Sequence, residues 1–137
     1  MKEVRISHYV TPFDLLMRQV GVADVKSRVE VTLTLDQLTS LIRYFLRSVP
    51  VDEAWYRGAY PDVDEAIQAG ACGSAKEHFV SSGYFEGRRA GKVVIDEKWY
   101  LAKYPDIAEG IEFGEIESAQ AHYDMHGAAE GRFPHEV

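Results

Sequence analysis

A chain of 137 residues, 46% hydrophobic and 12% aromatic, is long enough for one core or for a core plus a small appended element. That aromatic content argues against disorder, and no apolar run approaches the roughly 20 residues a membrane-spanning helix needs. The net charge of −7 divides into +2 over residues 1–50 and −9 over residues 51–137, so the larger part repels nucleic-acid phosphates and anionic lipid.

In chain order, Val4, Ile6, His8 and Val10 alternate with polar neighbours and predict a short strand. Thr11 and Pro12 then read as N-cap and first residue of a helix carrying Phe13, Leu16, Met17 and Val20, with Gly21 at its end. Residues 28–35 alternate again, placing Val29, Val31, Leu33 and Leu35 on one face of a second strand. A helix bearing Leu38, Leu41, Ile42, Phe45 and Leu46 follows and closes at Val49 and Pro50. Residues 1–50 are therefore expected to form a small α+β element. Its strand edge needs a partner, which either the Val4–Val10 strand or the same strand of a second chain supplies, and the expectation leans to the second, a homodimer.

Residues 51–88 align with residues 95–132 without a gap at an offset of 44, and 17 of the 38 positions are identical. Both tryptophans of the chain, Trp55 and Trp99, fall on one repeat position, the signature of a tandem duplication. The identical residues punctuate three short helices per unit. Asp52 and Asp96 read as N-caps, and Trp55, Tyr56 and Tyr60 follow at helical spacing, as do Trp99, Tyr100 and Tyr104. Pro61 and Pro105 end that helix and open the next, which carries Val63 and Ile67, or Ile107 and Ile111, and stops at Gly70 or Gly114. Ser74 and Ser118 cap a third helix bearing His78 and Phe79, or His122 and Tyr123, with Gly83 and Gly127 as its terminators. Each unit ends on Glu-Gly-Arg, at Arg88 and at Arg132. The expected organisation is mainly α: residues 1–50 as the N-terminal element, then helical repeats at 51–92 and 93–137.

The motif Asp-Glu-x-Trp-Tyr, Tyr-Pro-Asp, His-Phe/Tyr, Gly and Glu-Gly-Arg resembles a helical tandem repeat of bacterial proteins. That repeat stands beside glycosyltransferases and in large secreted calcium-binding repeat proteins. The resemblance covers residues 51–134 and implies an accessory module, with glycan contact through Trp55, Tyr56, Trp99 and Tyr100 as one role. A second resemblance lies in the strand-then-helix of residues 28–49, which is similar to the opening of a ribbon-helix-helix DNA-binding domain. There Arg28, Glu30 and Thr32 would face DNA, and the central glutamate speaks against it.

Each tempting residue has a plainer reading. His78 and His122 are expected to be buried, with a ring N–H on a carbonyl of their own repeat. His122 and His126 form an i,i+4 pair resembling half of a zinc site, but position 126 aligns with Ser82 and falls outside the repeated design. Arg88 is expected to pair with Asp62, and Arg132 with Asp106, locking the end of each unit onto its Pro-Asp corner. Aromatic residues at helical spacing are more often core than sugar platform. Cys72 aligns with Ile116 and reads as a small core hydrophobe.

No Gly-x-Ser-x-Gly, phosphate loop, Cys-x-x-Cys or His-Glu-x-x-His occurs, and a repeat builds extended surface where catalysis needs unlike groups converging on one pocket. The sequence thus points to a non-enzymatic adaptor with no cofactor or metal. It would self-associate through residues 1–50 and bind another protein through acidic repeats. Polar residues after Met1 in place of a secretory core, together with the single Cys72, make the cytoplasm the expected location.

Overall fold

The computed structural model describes residues 11–21 and 30–137. Those residues are mainly helical, and the expected strand over residues 4–10 lies outside them. Helices α1 (Phe13–Gln19) and α2 (Leu35–Leu46) precede the duplicated part. Pro12 stands at the N-cap of α1 and not at its first helical position, and no side chain caps that end.

The strand expected over residues 28–35 does not form in its described portion. Residues 30–34 carry no strand pairing and Leu35 already belongs to α2. The reason is local. Thr34 accepts from the Gln37 backbone while the Gln37 side chain accepts from the Thr34 N–H, and this reciprocal pair satisfies two donors that a helix start would otherwise leave open. Alternation predicted a strand; a capping box started a helix instead.

The chain divides into two compact units, residues 1–91 and 92–137. Helix α2 belongs to the first of these units. Leu46 is buried in one cluster with Tyr56, Val63, Ala75 and Phe79, and Ile42 and Val49 pack against it. The apolar stripe of α2 supplies one wall of the first unit's core.

Within that unit α3 (Glu53–Ala59), α4 (Pro61–Gln68) and α5 (Ala75–His78) follow the expected punctuation, and α5 runs into a π turn, Phe79–Gly83. The second unit repeats this as α6 (Glu97–Lys103), α7 (Pro105–Glu112), α8 (Ala119–His122) and the π turn Tyr123–Gly127. Asp52, Ser74, Asp96 and Ser118 all cap through their side chains, each satisfying one otherwise open helix donor. Tyr100, Ile107, Ala119, Tyr123 and Ile95 form the second core.

Gly83 and Gly127 do not end the third helix through a left-handed backbone. The positive φ falls at Gly87 (78°) and Gly131 (76°), where the Glu-Gly-Arg turns reverse the chain. A Cβ at Gly83 would instead collide with the Tyr56 hydroxyl, and one at Gly127 with that of Tyr100. Each unit then closes on itself: the Asp52 N–H donates to Ala90 O and the Asp96 N–H to Pro134 O, both at 2.9 Å.

Candidate functional site

Four of the identical residues of each repeat gather at one corner: Tyr60, Asp62, Glu86 and Arg88 in the first, Tyr104, Asp106, Glu130 and Arg132 in the second. Pro61 opens α4 at its first turn, which puts Asp62 beside the arriving Arg88. Arg88 donates through Nη1 and Nη2 to the two Asp62 oxygens at 2.9 and 2.7 Å, and through Nε to Glu86 at 2.9 Å. Its guanidinium lies 4.9 Å from the Tyr60 ring centre, and the Tyr60 hydroxyl accepts from the Arg89 N–H. In the second unit Arg132 repeats every contact, with Asp106 at 3.1 and 2.8 Å, Glu130 at 2.7 Å and the Tyr104 ring at 4.8 Å. The Tyr104 hydroxyl accepts from Phe133.

The hydrogen bonds from Arg88 hold the Asp62 carboxyl down to about 2, against the smaller opposing effect of desolvation. Arg132 lowers Asp106 in the same way. Both carboxylates remain charged at any ordinary pH, so neither suits proton transfer near neutrality. Each arginine is bidentate, stacked and spent on the turn of its own unit. Chemically this corner is a clasp.

Behind it lies the histidine. The Tyr56 hydroxyl and His78 Nδ1 share a hydrogen bond of 3.0 Å, and Tyr100 and His122 one of 3.1 Å. The expected carbonyl partner is thus replaced by a phenol. Tyr56 and Tyr100 are 0% exposed, a buried phenol must find a hydrogen-bonding partner, and the imidazole meets that need. Burial pushes the Tyr56 hydroxyl up to about 12 and also raises that of Tyr100. His122 Nε2 stands 4.0 Å from Glu130, and the His122 and His126 rings are 5.9 Å apart. Among the described residues no three of His, Cys, Asp and Glu converge on a point where a metal would sit.

Trp55 and Trp99 pack half-buried against their cores, edge-on to Tyr60 at 6.0 Å and to Tyr104 at 6.2 Å. Trp99 also lines, with Lys103, Phe133 and Glu136, a surface hollow of about 360 Å³. Several contacts escape a sequence reading because they join residues 22 to 30 positions apart with no local spacing rule. The Glu53 side chain accepts from Ala75 N at the start of α5. Lys76 donates to Val49 O and Leu46 O, and Gln120, at the same repeat position, donates to Val93 O. Burial lowers the Lys76 ammonium.

The features that depart from the repeat are of another kind. Arg43 on α2 and Arg47 at its C-cap line an open groove of about 410 Å³ with Lys76 and Ser81. In the second unit Glu109, Glu112, Glu115 and Glu117 are all exposed around Phe113, itself 76% exposed. Their counterparts in the first unit are Glu65, Gln68, Ala71, Gly73 and Ala69.

No known protein-family model, curated protein or solved structure matches this chain.

Proposed function

We propose that this chain is a non-enzymatic interaction module that self-associates and presents the acidic face of its second repeat to a protein partner. One observation carries the reading: most of what the two repeats share is consumed internally, and the second repeat adds exposed charge at Glu112, Glu115 and Glu117. The clasp residues Asp62, Arg88, Asp106 and Arg132 and the Tyr–His pairs are bonded to each other. Glu109, Glu112, Glu115 and Glu117 enter no ion pair or side-chain hydrogen bond among the described residues. Maintaining unpaired charge around an exposed phenylalanine weakens a fold through self-repulsion and solvent-exposed apolar area, and a docking face accounts for it. A cytoplasmic setting fits the lone Cys72, and among the described residues no helix is long and apolar enough to cross a membrane.

The test compares proteins captured from the native host by the full chain and by a Glu109→Lys, Glu112→Lys, Glu115→Lys variant with unchanged circular dichroism. Loss of specific captured proteins supports the reading; an identical set overturns the acidic face as the docking surface.

The Trp99, Phe133, Lys103 and Glu136 hollow favours a second reading, in which an aromatic pair flanked by polar groups stacks on a sugar ring. Quenching of tryptophan fluorescence by bacterial oligosaccharides, lost in Phe133→Ala, supports it. Fluorescence that stays constant through the titration removes it.

A further inference from the structure

We infer that the groove between α2 and α5 of one copy receives the acidic ridge of residues 109–117 from a second copy, so that the chains join head to tail. This rests on the reading of the protein as a self-associating module and names both surfaces of the association.

The groove exists because α2 packs on the first repeat. Two of its cations, Arg43 and Arg47, sit one helical turn apart, and Glu77 is the one acid among the residues lining it. Arg43 gives one donor to Ser81 O and lays its guanidinium 5.0 Å from the Phe85 ring centre. Its Nε is the one buried side-chain nitrogen or oxygen among the described residues with no hydrogen-bond partner. A guanidinium has five N–H donors, so most of the Arg43 set is unspent. Arg47 stacks over Tyr44 and forms no ion pair among the described residues. Lys76, by contrast, is committed to the carbonyls that end α2.

The ridge has the matching chemistry. Glu109 and Glu112 stand three residues apart on α7, which places their Cβ atoms about 5–6 Å apart, the separation of the two arginines at i and i+4. Arginine is the side chain best suited to bind such carboxylates in pairs. Phe113 extends from the same end of α7 and offers apolar area to Val80 at the groove. The residues homologous to the ridge in the first repeat carry a single acid, and those homologous to Val80 and Lys76 in the second are Asp124 and Gln120. Groove and ridge thus include positions where the units diverge, and there they diverge to opposite charge. An open groove suits a chain segment better than an enclosed small molecule. Because the two surfaces differ, the contact is heterologous and propagates or closes into a ring.

The experiment uses two full-length variants whose folding is checked by circular dichroism and thermal unfolding. Arg43→Gln with Arg47→Gln disables the groove, and Glu109→Gln with Glu112→Gln disables the ridge. Because Arg43 also holds Ser81 and Phe85, Arg47→Gln alone serves where the double variant unfolds. Light scattering of the wild-type chain should show mass rising with concentration and falling back to monomer in high salt. Each variant alone should remain monomeric, and their mixture should form a complex of two chains and no larger, since each carries one intact surface. Wild-type protein that stays monomeric across concentration overturns the inference. So does association that neither salt nor these substitutions weaken, which would assign self-association to another part of residues 1–50. Capture of other proteins that still depends on Glu109, Glu112 and Glu115 would in either case leave the module reading standing.

Discussion

Gly110 faces Ile116 so closely that a Cβ on the glycine would lie 2.6 Å from Ile116 Cδ1. The same two positions in the first unit hold Ala66 and Cys72. One methyl group has moved across the contact: a larger helix residue faces the smaller thiol, and no side chain at all faces the larger isoleucine. The pair also explains Cys72, which fills packing space and donates weakly to Ser74 O. A neighbouring exchange follows the same logic, since Arg57 pairs with Asp64 in the first unit and Leu101 and Ala108 occupy those positions in the second. Replacing an ion pair by apolar side chains is near neutral in stability, so the duplication could drift there without loss.

Gly110→Ala should destabilise the second unit by about 1–3 kcal/mol, the usual cost of inserting a methyl into a filled core. Adding Ile116→Cys should recover most of it, because the double variant reproduces the first unit's packing. Chemical denaturation of the three chains measures this; a double variant no more stable than Gly110→Ala would disprove the exchange.

Gly127→Ala should drive the Tyr100 hydroxyl off His122, since the new methyl and that hydroxyl need the same space. The expected loss is about 2 kcal/mol or more, combining overpacking with an unmet buried polar group. Tyr100→Phe placed on the Gly127→Ala background should be less destabilising than on the wild type. Equal effects in the two backgrounds would show that the residues do not compete.

Replacing Arg132 by methionine keeps much of its stem packing and removes the clasp to Asp106 and Glu130. The loss should be about 1 kcal/mol, near the top of the range for an exposed ion pair because the contact is bidentate and stacked on Tyr104. An unchanged unfolding midpoint would remove the clasp from the account of stability.

Stability should also depend on pH at both extremes. Asp62 is held at about 2 in the folded chain against 3.8 for the free side chain, so the folded state binds fewer protons than the unfolded one in that interval. Its contribution is complete above about 4 and disappears as pH falls towards 2. Asp62→Asn should flatten the acid limb of a stability–pH curve. At the alkaline end Tyr56 is raised from 10.0 to about 12; the unfolded chain loses that proton first, and stability falls as pH climbs through this range. Tyr56→Phe should delay that decline, as read by tyrosinate absorbance alongside unfolding. An unaltered alkaline limb would contradict it.

From the sequence alone came the duplication, its offset, the helix starts at Asp52, Ser74, Asp96 and Ser118, and the turn from α3 into α4 at Pro61. These are legible because caps, prolines and helical periodicity act over three or four residues, so the cause and its effect lie side by side in the chain. The pairing of Arg88 with Asp62 was reachable across 26 residues only because the duplication repeats both ends of it. Tertiary structure alone decided that a tyrosine hydroxyl would be the histidine's partner, that Gly83 makes room for that hydroxyl where Gly87 turns the chain, and that α2 joins the first repeat's core. Each depends on which distant surfaces are pressed together, and burial chooses among partners that periodicity leaves equivalent. At residues 30–34 the two scales conflict: alternation needs a neighbouring strand to become a sheet, whereas the Thr34–Gln37 capping box completes itself within four residues.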